Sequence, residues 1–394
     1  MKEAVIVSGV RTAIGRLGGS LKDISEEMLG TLVVKETIKR AGIDPSIIDE
    51  VVMSTQHRTG DVPFNPSRVW AIKAGIPIEV PNYTVNKHCG SGLKSVNLAA
   101  QSIRAGDAEV VVAGGVNIMS RAAYLLRGAR WGYQRTGHQE LMDQLVLLDP
   151  ISGYIMGETG ENVAEQFNIT REQQDEFAAL SQKKAEEAIK SGKFKEEIVP
   201  VEVPQPKGEP KVFDTDEHPR FGTTVEVISK LRPVFRKGGT VTAGNASGMN
   251  DAAAALVLMS EEKAKELGIE PFVRVVSYGS AGVDPAIMGI GPVPATRKAL
   301  EKADLKIEDI DLIELNEAFA SQAYYCAKEL NMDMDKVNVN GSGISLGHPI
   351  AATGAVLMVK MIHEMKRRDV RYGLVTMCIG GGQGIATIVE RAWK

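Results

Sequence analysis

One pattern of segments occurs twice in this chain, about 260 residues apart, and that repeat restricts the fold more than any other feature. Ile48-Asp49-Glu50-Val51-Val52-Met53 has a counterpart in Ile310-Asp311-Leu312-Ile313-Glu314-Leu315. Cys89 stands opposite His348, and Gly114-Gly115 stands opposite Gly380-Gly381. Residues 1–120 alternate strands and helices, with strand candidates at 3–8, 50–54, 80–85 and 109–113 and helices near 25–42, 66–75 and 91–105. Residues 270–394 follow the same plan. The expectation is two similar α/β halves, 1–119 (completed by about 250–269) and 270–394, with 120–249 inserted between them. In such a duplicate, the helix N-termini next to Cys89 and His348 meet across a pseudo-twofold axis.

The inserted stretch breaks the alternation. Thr170-Arg171-Glu172-Gln173 is a capping-box signature, and Phe177, Leu180 and Ala185 predict the apolar stripe of the helix it opens. Residues 200–240, rich in Pro, Gly and charge, read as loop. After Gly244-Asn245-Ala246-Ser247-Gly248-Met249-Asn250-Asp251, the run Ala252 to Leu256 predicts an Ala-rich helix, followed by a strand that rejoins the first half.

Chemistry concentrates in the turns. Val80-Pro81-Asn82-Tyr83-Thr84-Val85 reads as a strand, and Leu93, Val96, Ala99, Ala100 and Ile103 recur at helical spacing. Cys89 therefore sits in a strand-to-helix turn, where unpaired amides and the helix dipole favour the thiolate. A cysteine in a Gly/Ser turn is equally a small buried residue, so this stretch alone assigns nothing. Three further segments accompany it. Asn340-Gly341-Ser342-Gly343-Ile344-Ser345-Leu346-Gly347-His348-Pro349 precedes an Ala/Gly-rich apolar helix through Lys360. Leu374-Val375-Thr376-Met377-Cys378 ends a strand before the glycine run 380–384, and Asn316-Glu317-Ala318-Phe319-Ala320 lies between.

In this order the four motifs resemble the thiolases, the acyl-CoA C-acetyltransferases, essentially from end to end and most closely the acetoacetyl-CoA (biosynthetic-type) branch. The resemblance implies a thiolase fold, two α/β halves in an α-β-α-β-α arrangement, with 120–249 as the inserted loop domain that covers the active site and holds coenzyme A. It also implies a division of labour. Cys89 takes the acyl group as a thioester, and His348 is its base. Cys378 moves the proton at the α-carbon, where a thiol suits because its pKa can be brought near the working pH. The Gly380 amide joins that of Cys89 in one oxyanion hole. Asn316 holds a water that with His348 forms the other, although an Asn before an Ala-rich helix also reads as a plain N-cap. Ser247 is placed along the pantetheine, Arg220 near the adenine and phosphate end, and Met156, Phe235, Met288 and Phe319 around the acyl group.

Coenzyme A and acyl-CoA enter as substrates, with no permanently bound cofactor and no metal-ligand spacing. A homodimer or homotetramer is implied. Departures from the family pattern gather around the substrate channel: Asn117 replaces a usual glutamate, Ile155 a histidine that faces pantetheine in many relatives, and His88 a smaller or apolar residue. The segment Asn340–Ser345 also differs from the common Gly/Ala-rich version. They keep open a degradative thiolase for a bulkier 3-oxoacyl-CoA, and a partner subunit that shapes the CoA site. A decarboxylating condensing enzyme normally lacks the equivalent of Cys378, and a non-catalytic binder normally lacks Cys89 or His348; all three are present.

Composition removes other classes. A net charge of −4 with no basic run gives no nucleic-acid signature, and no apolar run reaches membrane-spanning length. Three widely spaced cysteines make no disulfide framework, and the N-terminus enters a strand directly; the expectation is a cytoplasmic protein.

Overall fold

Val110–Ile118 and Asn250–Ser260 are buried along their whole length, so the sheet they share has to be covered on both faces. The computed structural model describes residues 2–56, 64–132 and 136–393. Its principal strands are β1 (Ala4–Thr12), β2 (Glu50–Ser54), β3 (Asn82–Val85), β4 (Val110–Ile118) and β5 (Asn250–Ser260), then β6 (Val273–Gly282), β7 (Leu312–Leu315), β8 (Tyr372–Ile379) and β9 (Gln383–Arg391). They follow one path, β7-β8-β9-β6-β1-β5-β4-β2-β3. The path is two copies of one plan joined at β1 and β6, where Val5 pairs with Arg274 and Ile6 with Val273. In the first copy β3, β2 and β4 are parallel, and β5 runs antiparallel to β4 and β1. In the second, β7 and β8 are parallel, Val337 adds a parallel bridge to Ile313, and β9 runs antiparallel to β8 and β6.

The helices that cover these strands are α1 (Glu26–Ala41), α2 (Pro66–Lys73), α3 (Ser91–Ala105), α4 (Met156–Gln166) and α5 (Arg171–Lys190), then α6 (Pro292–Ala303), α7 (Ala320–Glu329) and α8 (Ile350–Arg368). Helix α8 is buried on every side from Ile350 to Met365, as a helix between two sheets must be. It packs with α3 in the middle layer, touching β1, β4 and β5 on one side and β7 and β8 on the other. Outer layers are α1 with α2 on the first half and α6 with α7 on the second. The result is the α-β-α-β-α order.

Small residues let the middle layer close. A Cβ on Gly92 would fall 2.7 Å from the Ala355 nitrogen and 2.8 Å from the Ala351 oxygen, and one on Gly354 would collide with the Leu93 nitrogen. The N-terminal turns of α3 and α8 are therefore in backbone contact. One buried ion pair locks α8 further: Lys360 Nζ reaches Glu314 Oε2 of β7 at 2.8 Å and donates to the Gly341 carbonyl at 2.7 Å.

Two sequence expectations fail here. Ala252–Leu256 is not helix but the centre of β5, with Ala254 paired to Gly115 and Ala255 to Gly114. Helix propensity is a weak bias, and an all-buried place between two strands, with glycines opposite, outweighs it. In α5 the capping box forms as expected, Thr170 accepting from the Gln173 amide. Phe177 and Ala185 are buried, but Leu180 is exposed; the buried stripe runs through Ala178, Ser181, Gln182, Ala185 and Ala188. Leu180 instead lines an outer groove with Thr223, Thr224 and Val225. The segment around 194–217 is pinned to the core by buried Arg11, whose Nε bonds Glu197 at 2.7 Å and whose Nη atoms bond Asp216 at 2.7 and 2.9 Å.

Candidate active site

Four structural edges carry the candidate groups. The turn before α3 brings Cys89, and the end of β8 brings Cys378 and Gly380. The loop after β7 brings Asn316, and the loop before α8 brings His348. The turn holding Cys89 is knit by local bonds: Ser91 Oγ accepts from the Lys87 amide at 2.7 Å and donates to the His88 carbonyl at 2.6 Å. His88 adopts φ 46°, a left-handed conformation costly for a residue with a Cβ, immediately before the thiol. Its side chain is exposed. Beyond Cys378, Gly381 and Gly382 have φ of 81° and 79°, a double left-handed turn that glycine alone adopts readily.

The Cys89 thiol is hydrogen-bonded by the backbone of Gly380 and of Cys89 itself, which lowers its pKa, but burial outweighs both and leaves it above the ordinary thiol value. The helix N-terminus therefore does not suffice to make a standing thiolate. Cys378 is fully buried, and its pKa is pushed well above normal by burial first and by the nearby Cys89 second. The two thiols are close enough to feel one another's charge. His348 is brought down to about 4 by burial, so its ring is neutral and able to accept a proton. Its Nδ1 lies 2.7 Å from Thr353 Oγ1, its Nε2 3.5 Å from Asn316 Nδ2, and its backbone amide donates to Asn250 Oδ1 at 3.0 Å. Asn316 is wholly buried, and its Oδ1 has no hydrogen-bond partner among the described residues. The N-cap of α7 is Phe319, so Asn316 does not cap that helix.

A buried histidine with a pKa near 4 leaves a mark on stability. In the unfolded chain the ring titrates near 6.5, so between these values the unfolded state binds a proton that the folded state refuses. Stability is then full above pH 6.5 and falls as pH drops toward 4, by about 3 kcal/mol for this ring. Urea unfolding of His348→Asn at stepped pH is expected to show an acid limb shallower by that amount.

The acyl-contact candidates come together. Cys378, Met288, Phe319, Val241 and Ala318 form one buried cluster, with Met156 and Phe235 packed at its rim. The rings of Phe235 and Phe319 meet edge-to-face at 6.4 Å. A Cβ on Gly380 would lie 3.3 Å from the Met156 sulfur, which places Met156 over the Cys89 amide pocket. Ser247 donates its amide to the Ala318 carbonyl beside this cluster. Arg220 lies apart, exposed in a cleft of about 580 Å³ with Arg16, Glu217, His218 and Met249. Met249 in the wall of this cleft pairs its backbone with that of His348 in an isolated bridge. His218 in its wall is driven to about 4 by burial and then by the Arg220 charge. Asn117 is buried and its Oδ1 accepts from the Ala351 amide in the first turn of α8. Ile155 is the N-cap of α4.

Sequence reasoning missed the groups behind these. Asn250 and Thr353 hold His348, and buried Glu317 accepts from Ser181 Oγ, Asn338 Nδ2 and the Ile344 amide at 2.6, 2.8 and 3.2 Å. That carboxylate ties α5, the Asn316 loop and the loop leading to His348. Their only signal in the sequence was a polar residue inside an otherwise small and apolar run.

A half-buried cysteine with two backbone hydrogen bonds on its sulfur, a neutral histidine and a second thiol, all on an α/β scaffold, fit an acyltransferase. The thiolase N-terminal domain matches residues 4–262 and the thiolase C-terminal domain residues 269–391. The chain belongs to the thiolase family. It is 54% identical to an acetyl-CoA acetyltransferase of Pseudomonas aeruginosa, over 99% of this chain and 100% of that one. Its fold matches the crystal structure of the Bacillus anthracis acetyl-CoA acetyltransferase with a TM-score of 0.96 at 50% identity, covering 99% of each chain. It also matches human mitochondrial 3-ketoacyl-CoA thiolase in complex with CoA, with a TM-score of 0.95 at 40% identity, covering 99% of this chain and 98% of that one.

Proposed function

We propose that this chain catalyses the reversible condensation of two acetyl-CoA to acetoacetyl-CoA and free CoA, by ping-pong transfer through acetyl-Cys89. The observation that carries the reading is the placement of Cys89 and Cys378 within electrostatic reach of each other, with the Gly380 amide on the Cys89 sulfur. His348 takes the Cys89 proton, and the thiolate attacks the acetyl carbonyl. The CoA thiolate leaves with that proton, and the amides of Cys89 and Gly380 hold the oxyanion. Cys378, as its thiolate, then removes a proton from the methyl of the second acetyl-CoA. The resulting enolate oxygen is held by a water that donates both to it and to Oδ1 of Asn316, and its carbon attacks acetyl-Cys89. Cys89 departs as thiolate and takes the proton that Cys378 collected, which restores both sulfurs to their starting states.

CoA is a substrate here, supported by the CoA complex of the human relative. Residues 120–249 form its cover, Arg220 takes the phosphate end in the cleft, and Ser247 lies along the pantetheine. The chamber formed by Met156, Phe235, Met288 and Phe319 is closed by aromatic rings, which suits a two-carbon acyl group. Nothing in the comparisons favours the bulkier-substrate reading. The protein works as a homo-oligomer in the cytoplasm, in acyl-CoA metabolism. Exposed apolar side chains on the insert, Tyr124, Leu141, Ile151 and Trp131 (90% exposed), together with the edge of β3, unpaired among the described residues, support self-association. Among the described residues no helix is long and apolar enough to cross a membrane.

The test is mass spectrometry of the Cys89 peptide after brief exposure to acetyl-CoA, acetoacetyl-CoA and longer or aromatic 3-oxoacyl-CoA. Acetyl labelling from the first two, with turnover and with no accessory chain, is expected. Labelling mainly from a bulky thioester overturns the substrate assignment, and no label from any overturns the mechanism.

A further inference from the structure

We propose that Thr353 is a positioning residue for acyl transfer: its hydroxyl fixes the histidine tautomer in which Nε2 of His348 carries the lone pair. The inference rests on the thiolase reading above. Thr353 stands in the first turn of α8, buried, with Oγ1 2.7 Å from His348 Nδ1. The other ring nitrogen faces Asn316 Nδ2 at 3.5 Å, and an amide nitrogen only donates. Nε2 is therefore the acceptor in the resting site, so the ring proton resides on Nδ1 and is donated to Thr353. Asn316 Oδ1, which would accept from an Nε2–H, is instead unpartnered among the described residues.

The choice of a hydroxyl has a chemical consequence. The side chains that bond the ring, Thr353 and Asn316, are both uncharged, whereas a carboxylate on Nδ1 would favour imidazolium in the resting enzyme. A neutral ring with a free Nε2 can take the thiol proton, which an imidazolium cannot. When Nε2 receives the Cys89 proton, Nδ1–H keeps the same bond to Thr353, so the ring does not have to turn. Without the hydroxyl, Nδ1–H has no acceptor in a buried site, and the ring moves to the other tautomer or rotates.

The experiment compares Thr353→Val, of similar shape, with Thr353→Ser, which keeps the hydroxyl. Single-turnover acetylation of Cys89 by acetyl-CoA is followed by rapid quench and mass spectrometry across pH, with KM for acetyl-CoA and the melting temperature in parallel. Expected is a slowing of acetylation of about tenfold or more in Thr353→Val, as the loss of one hydrogen bond to the correct tautomer implies. KM stays within about twofold, and Thr353→Ser stays within about threefold of wild type. The limb of the pH–rate profile that reports His348-assisted deprotonation is lost in the valine variant and retained in the serine variant. Wild-type rate and profile in Thr353→Val overturn the proposal alone. Equal losses in both variants, with lowered melting temperatures, overturn it in favour of packing. A wild-type enzyme that takes no acetyl group overturns the thiolase reading and this proposal together.

Discussion

Cys89→Ala should lower both condensation and thiolysis by roughly 10⁴-fold or more, because it removes the sulfur proposed to hold the acyl group between the two half-reactions. The loss is in kcat, not in CoA affinity, since the cleft with Arg220 is formed by other segments. Little stability should go with it. Cys89 is half-buried at the margin of the core, and the turn around it is held by Ser91 and by the backbone, not by the thiol. Measurement of initial rates in both directions, with urea unfolding of the same samples, separates the two effects. A residual rate within about tenfold of wild type would mean that the enolate attacks the acyl-CoA carbonyl directly and that Cys89 holds no intermediate.

Cys378→Ser should divide the reaction. The first half, acetylation of Cys89, needs Cys89, His348 and the two amides, and is expected to remain within a few-fold of wild type. The second half, carbon–carbon bond formation, needs a base at the methyl carbon, and a serine hydroxyl is too weak an acid to supply its anion. A loss of about 10²–10⁴-fold in condensation is expected, with acetyl-Cys89 accumulating. Quench-flow detection of acetyl-enzyme alongside acetoacetyl-CoA formation reads both halves. Parallel loss of acetylation and condensation would show that Cys378 acts in the first step too.

Much of this was legible in the chain. Strand and helix alternation, the repeat that pairs β2 with β7 and Cys89 with His348, and the caps of α5 all rest on neighbours a few residues apart. The acyl contacts that the family resemblance implies, Met156, Phe235, Met288 and Phe319, do share one cluster with Cys378. The failures have a common origin. Ala252–Leu256 looked helical by propensity but lies between two fully buried strands, and Leu180 fitted a helical stripe that faces the other way. The helix dipole was expected to make Cys89 a thiolate, yet burial holds the proton on it.

The sequence by itself determined the family and the duplicated α/β plan and nominated the reactive groups, because turns, caps and periodicities are written locally. Only the tertiary structure decided the protonation states and the partners. The thiol pKa values depend on what surrounds Cys89 and Cys378 in space, and the His348 tautomer depends on Asn316 and Thr353 arriving from two separate elements. Desolvation and long-range hydrogen bonds are properties of the packed chain, and no window of neighbouring residues contains them.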